Sequence, residues 1–163
     1  MVEEGYDTAQ VCRNGHVVND MAATYPDYNQ EFCETCGEAT ITACPQCNSP
    51  IRGHYHARGV FDGPEYHPPA YCHNCGKPFP WAERALQAAI EMAIESGDLD
   101  ADEQQQFRES VQEVAQDTPT AQLAGSRIAR LLKKMGRVTG SAIRDILVDI
   151  ASESAKKMIW PDK

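Results

Sequence analysis

The sequence contains no run of about 18 apolar residues, although 42% of its 163 residues are hydrophobic. A membrane-spanning helix needs such a run, so the pattern excludes one. The first residues, MVEEGYDTAQ, are acidic and lack the apolar stretch of a secretory signal. We therefore expect a cytoplasmic protein.

Recognisable catalytic patterns are also missing. The sequence has no glycine-rich loop that would cradle a phosphate, and no set of nucleophile, base and orienting residue is visible. Neither cysteine nor histidine follows residue 75, so the second half has only carboxylates and lysines for acid–base chemistry. These absences argue against an enzyme.

Positive charge is scarce and unevenly placed. The net charge of −9 at pH 7 argues against non-specific binding to nucleic acid. Residues 118–163 carry nine Lys/Arg against four Asp/Glu, hence +5, and the remainder carries six against twenty, hence −14. Such a bipolar distribution favours a directed partner or self-association.

The first half is rich in cysteine. Its seven cysteines are an odd number in a chain without an export signal, so metal ligation explains them better than disulfides do. Three pairs have Cys-x-x-Cys spacing, and the seventh cysteine stands four residues before a histidine in CRNGH. The eight candidate metal ligands, grouped by motif, are Cys12 and His16, Cys33 and Cys36, Cys44 and Cys47, and Cys72 and Cys75.

Each motif has the turn residue that a metal-binding knuckle needs. A residue tolerant of positive φ next to the second ligand lets backbone N–H groups point at the thiolates. These residues are Gly15, Gly37, Asn48 and Gly76. Eight ligands fill two tetrahedral sites, a geometry and donor set that favour Zn²⁺. Because no coordination position is left open, we expect two structural zinc ions.

The ligand pairing has two alternatives. Sequential pairing joins the first motif with the second and the third with the fourth, whereas crossed pairing, as in RING domains, joins alternate motifs. Seven residues separate Cys36 from Cys44, a longer spacer than RING domains use. We favour the sequential pairing.

The composition changes at about residue 80, within GKPFP. Residues 1–80 have short β-like runs and too few aliphatic side chains to fold unaided, whereas structural zinc contributes about 10–16 kcal/mol in small zinc fingers. Residues 81–163 show helical periodicity throughout. We predict a small zinc-stabilised β-rich module, a double zinc ribbon, followed by an all-α bundle of about four helices.

The four predicted helices have different start signals. The first runs over about 81–95 and the fourth over roughly 140–159. The second begins at an Asp100 cap, with Glu103 completing a capping box. The third begins at a Thr118 cap, with Pro119 at the first helical position. The third, within the basic segment 119–137, is amphipathic. Its basic face suits either nucleic-acid phosphates or an acidic face of the same chain, and we favour the second because that counter-charge is available.

Segment 53–71, GHYHARGVFDGPEYHPPAY, concentrates aromatic residues and histidines. It suits either a recognition loop for a base or peptide, or a hairpin whose FDGPEY turn lets the aromatics cover a small core. We favour the hairpin. A third metal site at His54 and His56 is disfavoured because no further ligand lies at suitable spacing.

The knuckles CETCG, CPQCNSPIRG and YCHNCGKPFPW are similar to those of tandem zinc ribbons. From YDTAQVCRNGHVVND to SAIRDILVDIASESAKKMIWP, the chain resembles an uncharacterised bacterial domain-of-unknown-function family of small proteins. The resemblance implies a bacterial, cytosolic zinc-ribbon protein with a helical tail and implies no activity. At His16 the first knuckle departs from the ribbon pattern.

Three functional hypotheses follow. The first is a non-enzymatic zinc-ribbon adaptor or scaffold that binds a protein partner or self-assembles through its helical domain. The second is an RNA- or DNA-binding regulator that uses the basic helix 119–137 and the segment 53–71. The third is a RING-like transfer scaffold, which requires crossed zinc pairing.

Overall fold

The computed structural model describes residues 3–60 and 63–161. The chain divides into two compact units, Met1–Glu83 and Arg84–Lys163. Within the described ranges, no helix has both the length and the apolar character that a bilayer span requires.

The first unit is built from very short strands. These are β1 (Gly5–Thr8), β2 (Gln10–Cys12), β3 (Val17–Asn19), β4 (Thr40–Ile41) and β5 (Arg52–His56), with a 3-10 turn at Pro26–Tyr28. Strands β1 and β5 form one antiparallel pair, and β3, β2 and β4 form a three-stranded sheet in that order. Three isolated bridges complete the pairing, at Phe32–Ala39, Ala43–Pro50 and Tyr71–Pro78.

The strand pairing encloses the cysteine motifs. Each isolated bridge brackets one Cys-x-x-Cys turn, and the β2–β3 hairpin brackets the first motif. The expected β-rich module is therefore confirmed, with each knuckle at the tip of a minimal hairpin.

The apolar core of the first unit is small. Buried residues Val11, Ile51 and Phe79 form it together with Trp81, and the Phe79 and Trp81 rings stack with centroids 4.7 Å apart. Two cysteines, Cys44 and Cys72, belong to the same cluster. A core of this size cannot offset the conformational entropy of ordering the unit, so another source of stability is required.

A buried carboxylate joins β1 to β5. Asp7 accepts hydrogen bonds from the backbone N–H groups of Thr8 (2.6 Å) and Ala23 (3.0 Å), and its Oδ2 lies 3.0 Å from His56 Nε2. Burial raises the pKa of Asp7, but hydrogen bonds from the Thr24 and His56 side chains and from these N–H groups outweigh burial, so the net shift is downward. The carboxylate is thus stabilised in its ionised form.

Replacement of Asp7 by Asn should destabilise the first unit. Asp7→Asn removes the charge that His56 and the N–H groups stabilise, so we expect the free energy of unfolding to fall by about 1–3 kcal/mol at neutral pH. A carboxyl with a lowered folded pKa loses its contribution as the pH falls through that pKa. The difference in unfolding free energy between wild type and variant should therefore stay constant down to about pH 5 and decrease only below about pH 4.

Chemical denaturation of the metal-loaded protein across this pH range measures the difference. Asp20→Asn is the matched control, because Asp20 Oδ2 lies 3.9 Å from His54 Nδ1 and its side chain is 30% exposed. Equal destabilisation by the two variants would contradict the role assigned to Asp7.

The C-terminal part is helical. In the residues that the structure describes, this part has five helices: α1 (Pro80–Glu95), α2 (Ala101–Ala115), α3 (Ala121–Lys134), α4 (Arg137–Leu147) and α5 (Glu153–Ile159). The second unit has its own core, which includes Phe107 from α2, Ile128 from α3 and Leu147 from α4. The expected order of a β-rich module followed by helices is confirmed, with five helices rather than about four.

Of two predicted helix starts, one is confirmed and one is wrong. The capping box of Asp100 and Glu103 is present as expected. The Thr118 cap is wrong, because α3 begins at Ala121. The Thr118 and Thr120 hydroxyls lie 3.2 Å apart and the Thr120 hydroxyl donates to Glu113, so these hydroxyls interact with side chains rather than with the first N–H groups of α3.

The predicted fourth helix is two helices. The Ser152 backbone N–H donates to Val114 O instead of continuing α4, and the Ser152 hydroxyl accepts from the Ala155 N–H as the N-cap of α5. Ile143, Leu147 and Ile150 are buried as the periodicity predicts. Met158, which an unbroken helix would place on the same inner face, is 39% exposed because the buried positions of α5 come one residue later.

Candidate metal centres

Centre 1 is formed by the first two motifs. Cys12 ends β2, His16 directly precedes β3, and Cys33 and Cys36 lie on the turn bracketed by Phe32 and Ala39. One ligand atom from each of the four side chains lies within 4.8 Å of the others. Cys12 Sγ is 3.5 Å from His16 Nδ1 and 3.8 Å from Cys36 Sγ, and Cys33 Sγ is 3.8 Å from His16 Nδ1.

Centre 2 is formed by the third and fourth motifs. Cys44, Cys47, Cys72 and Cys75 bring their sulfurs within 4.8 Å of one another. The Sγ atoms of Cys44 and Cys75 are 3.7 Å apart, and those of Cys47 and Cys72 are 3.6 Å apart. The structure thus brings together all eight predicted residues, in the sequential grouping rather than the crossed one.

Both clusters have the dimensions of a tetrahedral metal site. Sulfurs bound at about 2.3 Å to a tetrahedral zinc lie about 3.8 Å from one another. The sulfur–sulfur distances of three pairs, Cys12–Cys36, Cys44–Cys75 and Cys47–Cys72, are 3.6 to 3.8 Å and agree with that edge length, and all ligand atoms of each cluster lie within 4.8 Å of one another. All seven cysteines are free thiols, so disulfide bonds do not explain the proximity. The two clusters can therefore hold metal ions with four protein ligands each.

The four knuckles share one local geometry. Gly15, Gly37, Asn48 and Gly76 all have positive φ, between 61° and 93°. In the three Cys-x-x-Cys turns, the N–H of this residue donates to the carbonyl of the first cysteine at 2.7 to 2.9 Å, and Gly15 N–H donates likewise to Cys12 O at 2.9 Å. The predicted turn residues are thus confirmed in their backbone role.

The thiols of each cluster do not ionise equally without a cation. In centre 2, hydrogen bonds from the side chain and backbone of Ser49, and from the Asn74 side chain, lower the pKa of Cys47 to about 5. The Lys77 N–H favours the thiolate of Cys75, but burial and the neighbouring thiols raise its pKa to about 11. Four thiolates at these distances repel one another, so a divalent cation is needed to hold them all ionised.

Centre 1 shows the same contrast. Burial disfavours the thiolate of Cys33, yet hydrogen bonds from the Cys36 and Thr35 N–H groups outweigh it and lower the Cys33 pKa to about 6. The pKa of Cys12 is raised, chiefly by burial. Each centre therefore has at least one sulfur poised as a ligand and at least one that ionises fully only when a cation is bound.

Trp81 packs directly on the knuckle of centre 1. A Cβ added to Gly15 would lie 2.9 Å from Trp81 Cβ, so only glycine fits there. The indole N–H of Trp81 donates to Pro69 O at 2.9 Å, and its ring stacks on Phe79. Trp81 thus connects the first knuckle to the chain segment that leads into Cys72.

Substitution at Gly15 should be costlier than at the other knuckle glycines. Gly15→Ala introduces both positive-φ strain and a clash with Trp81, whereas Gly37→Ala introduces the strain alone, since nothing lies within 4 Å of its added Cβ. We expect Gly15→Ala to lose about 1–3 kcal/mol of unfolding free energy beyond the loss in Gly37→Ala.

Urea denaturation of the metal-loaded variants measures this difference. Trp81 fluorescence, followed in a Trp160→Phe background, should also shift in Gly15→Ala and not in Gly37→Ala. Equal stabilities and unchanged spectra would refute the packing argument.

The remaining histidines do not join a metal cluster in the described parts of the chain. The rings of His54 and His56 meet edge to face with centroids 5.3 Å apart, and each faces its own carboxylate, Asp20 and Asp7 respectively. Sequence spacing missed both carboxylates because they come from distant positions: the β1–β5 pairing brings Asp7 to His56, and the His54 N–H donates to the Asp20 carbonyl.

Segment 53–71 differs from the predicted hairpin. Strand β5 pairs with β1, and residues 63–70 form no strand. Phe61 and the start of the predicted FDGPEY turn lie outside the described residues. The aromatic cover is partly as expected, because Tyr66 packs against the first-unit core and donates its hydroxyl to Arg52 O at 2.6 Å.

A family model described as "Uncharacterized protein conserved in bacteria (DUF2321)" matches residues 5–159. The chain belongs to this family. The match covers both candidate metal centres and all five helices, and it confirms the resemblance found in the sequence. Comparison with curated proteins and with solved structures finds no significant match.

Proposed function

We propose that this DUF2321 protein is a non-enzymatic adaptor whose N-terminal module is held together by two structural zinc ions. The observation that carries the proposal is the completeness of the two clusters. Each supplies four ligand atoms at tetrahedral spacing, so a bound metal keeps no position for water or substrate. A metal ion closed in this way stabilises the fold and does not activate a substrate.

Zinc suits the ligands better than other common divalent ions. Thiolate and imidazole donors exclude the oxygen-preferring Mg²⁺ and Ca²⁺, and a tetrahedral Cys₃His or Cys₄ set is typical of structural zinc. The residues that would hold the ions are Cys12, His16, Cys33 and Cys36 in centre 1, and Cys44, Cys47, Cys72 and Cys75 in centre 2. Seven free thiols also support a cytoplasmic location, where thiols stay reduced.

Metal removal should unfold the module of residues 1–80 and spare the helices of residues 81–163. We expect two zinc ions per chain by elemental analysis. On chelation, the NMR amide signals of the folded β1–β5 pair should be lost, because the small apolar core cannot hold the strands together alone. Helical circular dichroism should remain. Cys44→Ser should reduce the zinc content to about one per chain, with Thr42→Ser, an exposed change outside the ligand set, as control.

A purified protein that is folded and free of metal would overturn the structural role. Iron in place of zinc would refute the metal assignment and leave the structural role intact.

The adaptor role rests on exposed apolar surface together with the bipolar charge. In the described part of the helical unit, Leu123 is 51% exposed and Val138 is 85% exposed. Trp160 packs against the helical core. We propose that the basic segment 118–163 associates with the acidic remainder of a second copy of the chain, with the exposed residues of α3 and α4 in the contact.

Self-association should depend on Val138 and on ionic strength. We expect wild-type protein to dimerise at micromolar concentrations, and Val138→Glu to weaken the dimer about tenfold because a carboxylate would enter an apolar contact. Added salt should weaken it further, since the charge attraction is screened.

Light scattering coupled to size exclusion measures the association. Gln112→Glu, an equal change of charge at an exposed position on α2, is the control. A wild-type protein that stays monomeric at high concentration would refute assembly between copies.

Two observations count against the nucleic-acid hypothesis. Lys134 forms an ion pair with Glu103 and Arg130 donates a hydrogen bond to Gln106, so two of the cations on α3 already contact α2. The Lys134 hydrogen bond also lowers the pKa of Glu103. The first unit, in addition, carries eleven Asp/Glu against four Lys/Arg over residues 1–83. The RING-like hypothesis loses its premise, because the clusters group sequential motifs.

A further inference from the structure

The two candidate metal centres differ in how far their ligands are exposed. In centre 1, Cys12 and Cys33 are buried whereas His16 and Cys36 are exposed. In centre 2, Cys44 and Cys72 are buried and Cys47 and Cys75 are only partly exposed. An exposed thiolate is therefore present in centre 1 alone.

The apolar core explains the difference. Cys44 and Cys72 belong to the core of the first unit, and Cys47 and Cys75 pack against it. None of the four ligands of centre 1 is part of this core in the described chain. At Cys36 the described contacts are polar, with the Asn14 side-chain amide 3.5 Å from Sγ and Cys12 Sγ 3.8 Å away. Small reactants can thus reach Cys36 from solvent.

We propose that centre 1 is an oxidation-sensitive metal site, at which a peroxide oxidises Cys36 and the metal is released, while centre 2 is protected. The inference rests on the proposed metal binding and adds a regulatory role to one of the two centres. The proposed oxidant is hydrogen peroxide. Because hydrogen peroxide is small and uncharged, the acidic surroundings of Cys36, including Glu34 and Glu38, do not repel it.

The reaction takes two balanced steps. The Cys36 thiolate attacks one peroxide oxygen, the O–O bond breaks, hydroxide leaves, and the sulfur becomes a sulfenic acid by a two-electron oxidation. The Cys12 thiolate, 3.8 Å away, then attacks the Cys36 sulfur, a disulfide forms, and a second hydroxide leaves. Only His16 and Cys33 remain as ligands, too few to retain a structural zinc.

Charge and access act in opposite directions at the two centres. With zinc bound, four thiolates give centre 2 a net charge of −2, and three thiolates with a histidine give centre 1 a net charge of −1. On charge alone, centre 2 would be the more nucleophilic. Oxidation also requires that the oxidant reach the sulfur, and susceptibility follows exposure as well as thiolate character. The cover of centre 2 by the apolar core makes access the deciding factor.

The test treats the zinc-loaded full-length protein with hydrogen peroxide and follows zinc release with a colorimetric chelator. We expect release of one zinc first, with a Cys12–Cys36 disulfide identified by peptide mass spectrometry and the four cysteines of centre 2 still reduced. Dithiothreitol and zinc should restore the starting state. Release of both ions at equal rates, or a first disulfide between cysteines of centre 2, would overturn the inference.

Cys36→His keeps the ligand count constant, because it replaces the exposed thiolate of centre 1 by another zinc ligand. The control, Thr42→Ser, changes an exposed residue outside both centres. We expect Cys36→His to release its first zinc about tenfold more slowly than wild type, because the exposed thiolate is gone, and Thr42→Ser to match wild type. Equal rates in all three proteins would refute the role of Cys36. A wild-type protein without zinc before peroxide is added would instead refute the proposed function itself, and the inference with it.

Discussion

The close approach of eight metal-ligand side chains is the constraint on which the first unit depends. Sulfurs 3.6 to 3.8 Å apart repel one another once ionised, and a divalent cation converts that repulsion into attraction. The strands between the knuckles are two to five residues long and share a small apolar core, so they cannot hold the turns together themselves. In this unit the backbone positions the ligand atoms, and a metal ion bound there would supply the stability that apolar burial supplies in the helical unit.

Local features of the site could be predicted from the sequence because they depend on residues a few positions apart. A Cys-x-x-Cys turn followed by Gly or Asn has one low-energy way to present both sulfurs, and all of the predicted positive-φ residues have that conformation. The capping box at Asp100 was predictable for the same reason. The sequential grouping was also expected, since a short spacer between Cys36 and Cys44 would have been needed for a crossed one.

Features that depend on distant residues were not predictable. Asp7 and His56 are 49 positions apart, and only the β1–β5 pairing makes them neighbours. The break after α4 depends on the carbonyl of Val114. This carbonyl accepts the Ser152 N–H, which therefore makes no hydrogen bond to the preceding helix. In α5 the buried positions come one residue later than an unbroken helix would place them, and the apolar pattern alone does not reveal that shift.

The three Cys-x-x-Cys knuckles share one turn, and the first knuckle differs from them both in its turn and in its surroundings. Three of the turn residues, Gly37, Asn48 and Gly76, follow the second ligand, whereas Gly15 precedes it and lies against Trp81. The Trp81 indole N–H donates to Pro69 O, and its ring stacks on Phe79. The Phe79 N–H in turn donates to Ala70 O, two residues before Cys72. A displacement of the Cys12–His16 turn therefore acts on the segment that enters centre 2. Trp81 thus adds a second connection between the two centres to the β2–β4 pairing, which already links Cys12 to the strand that leads into Cys44.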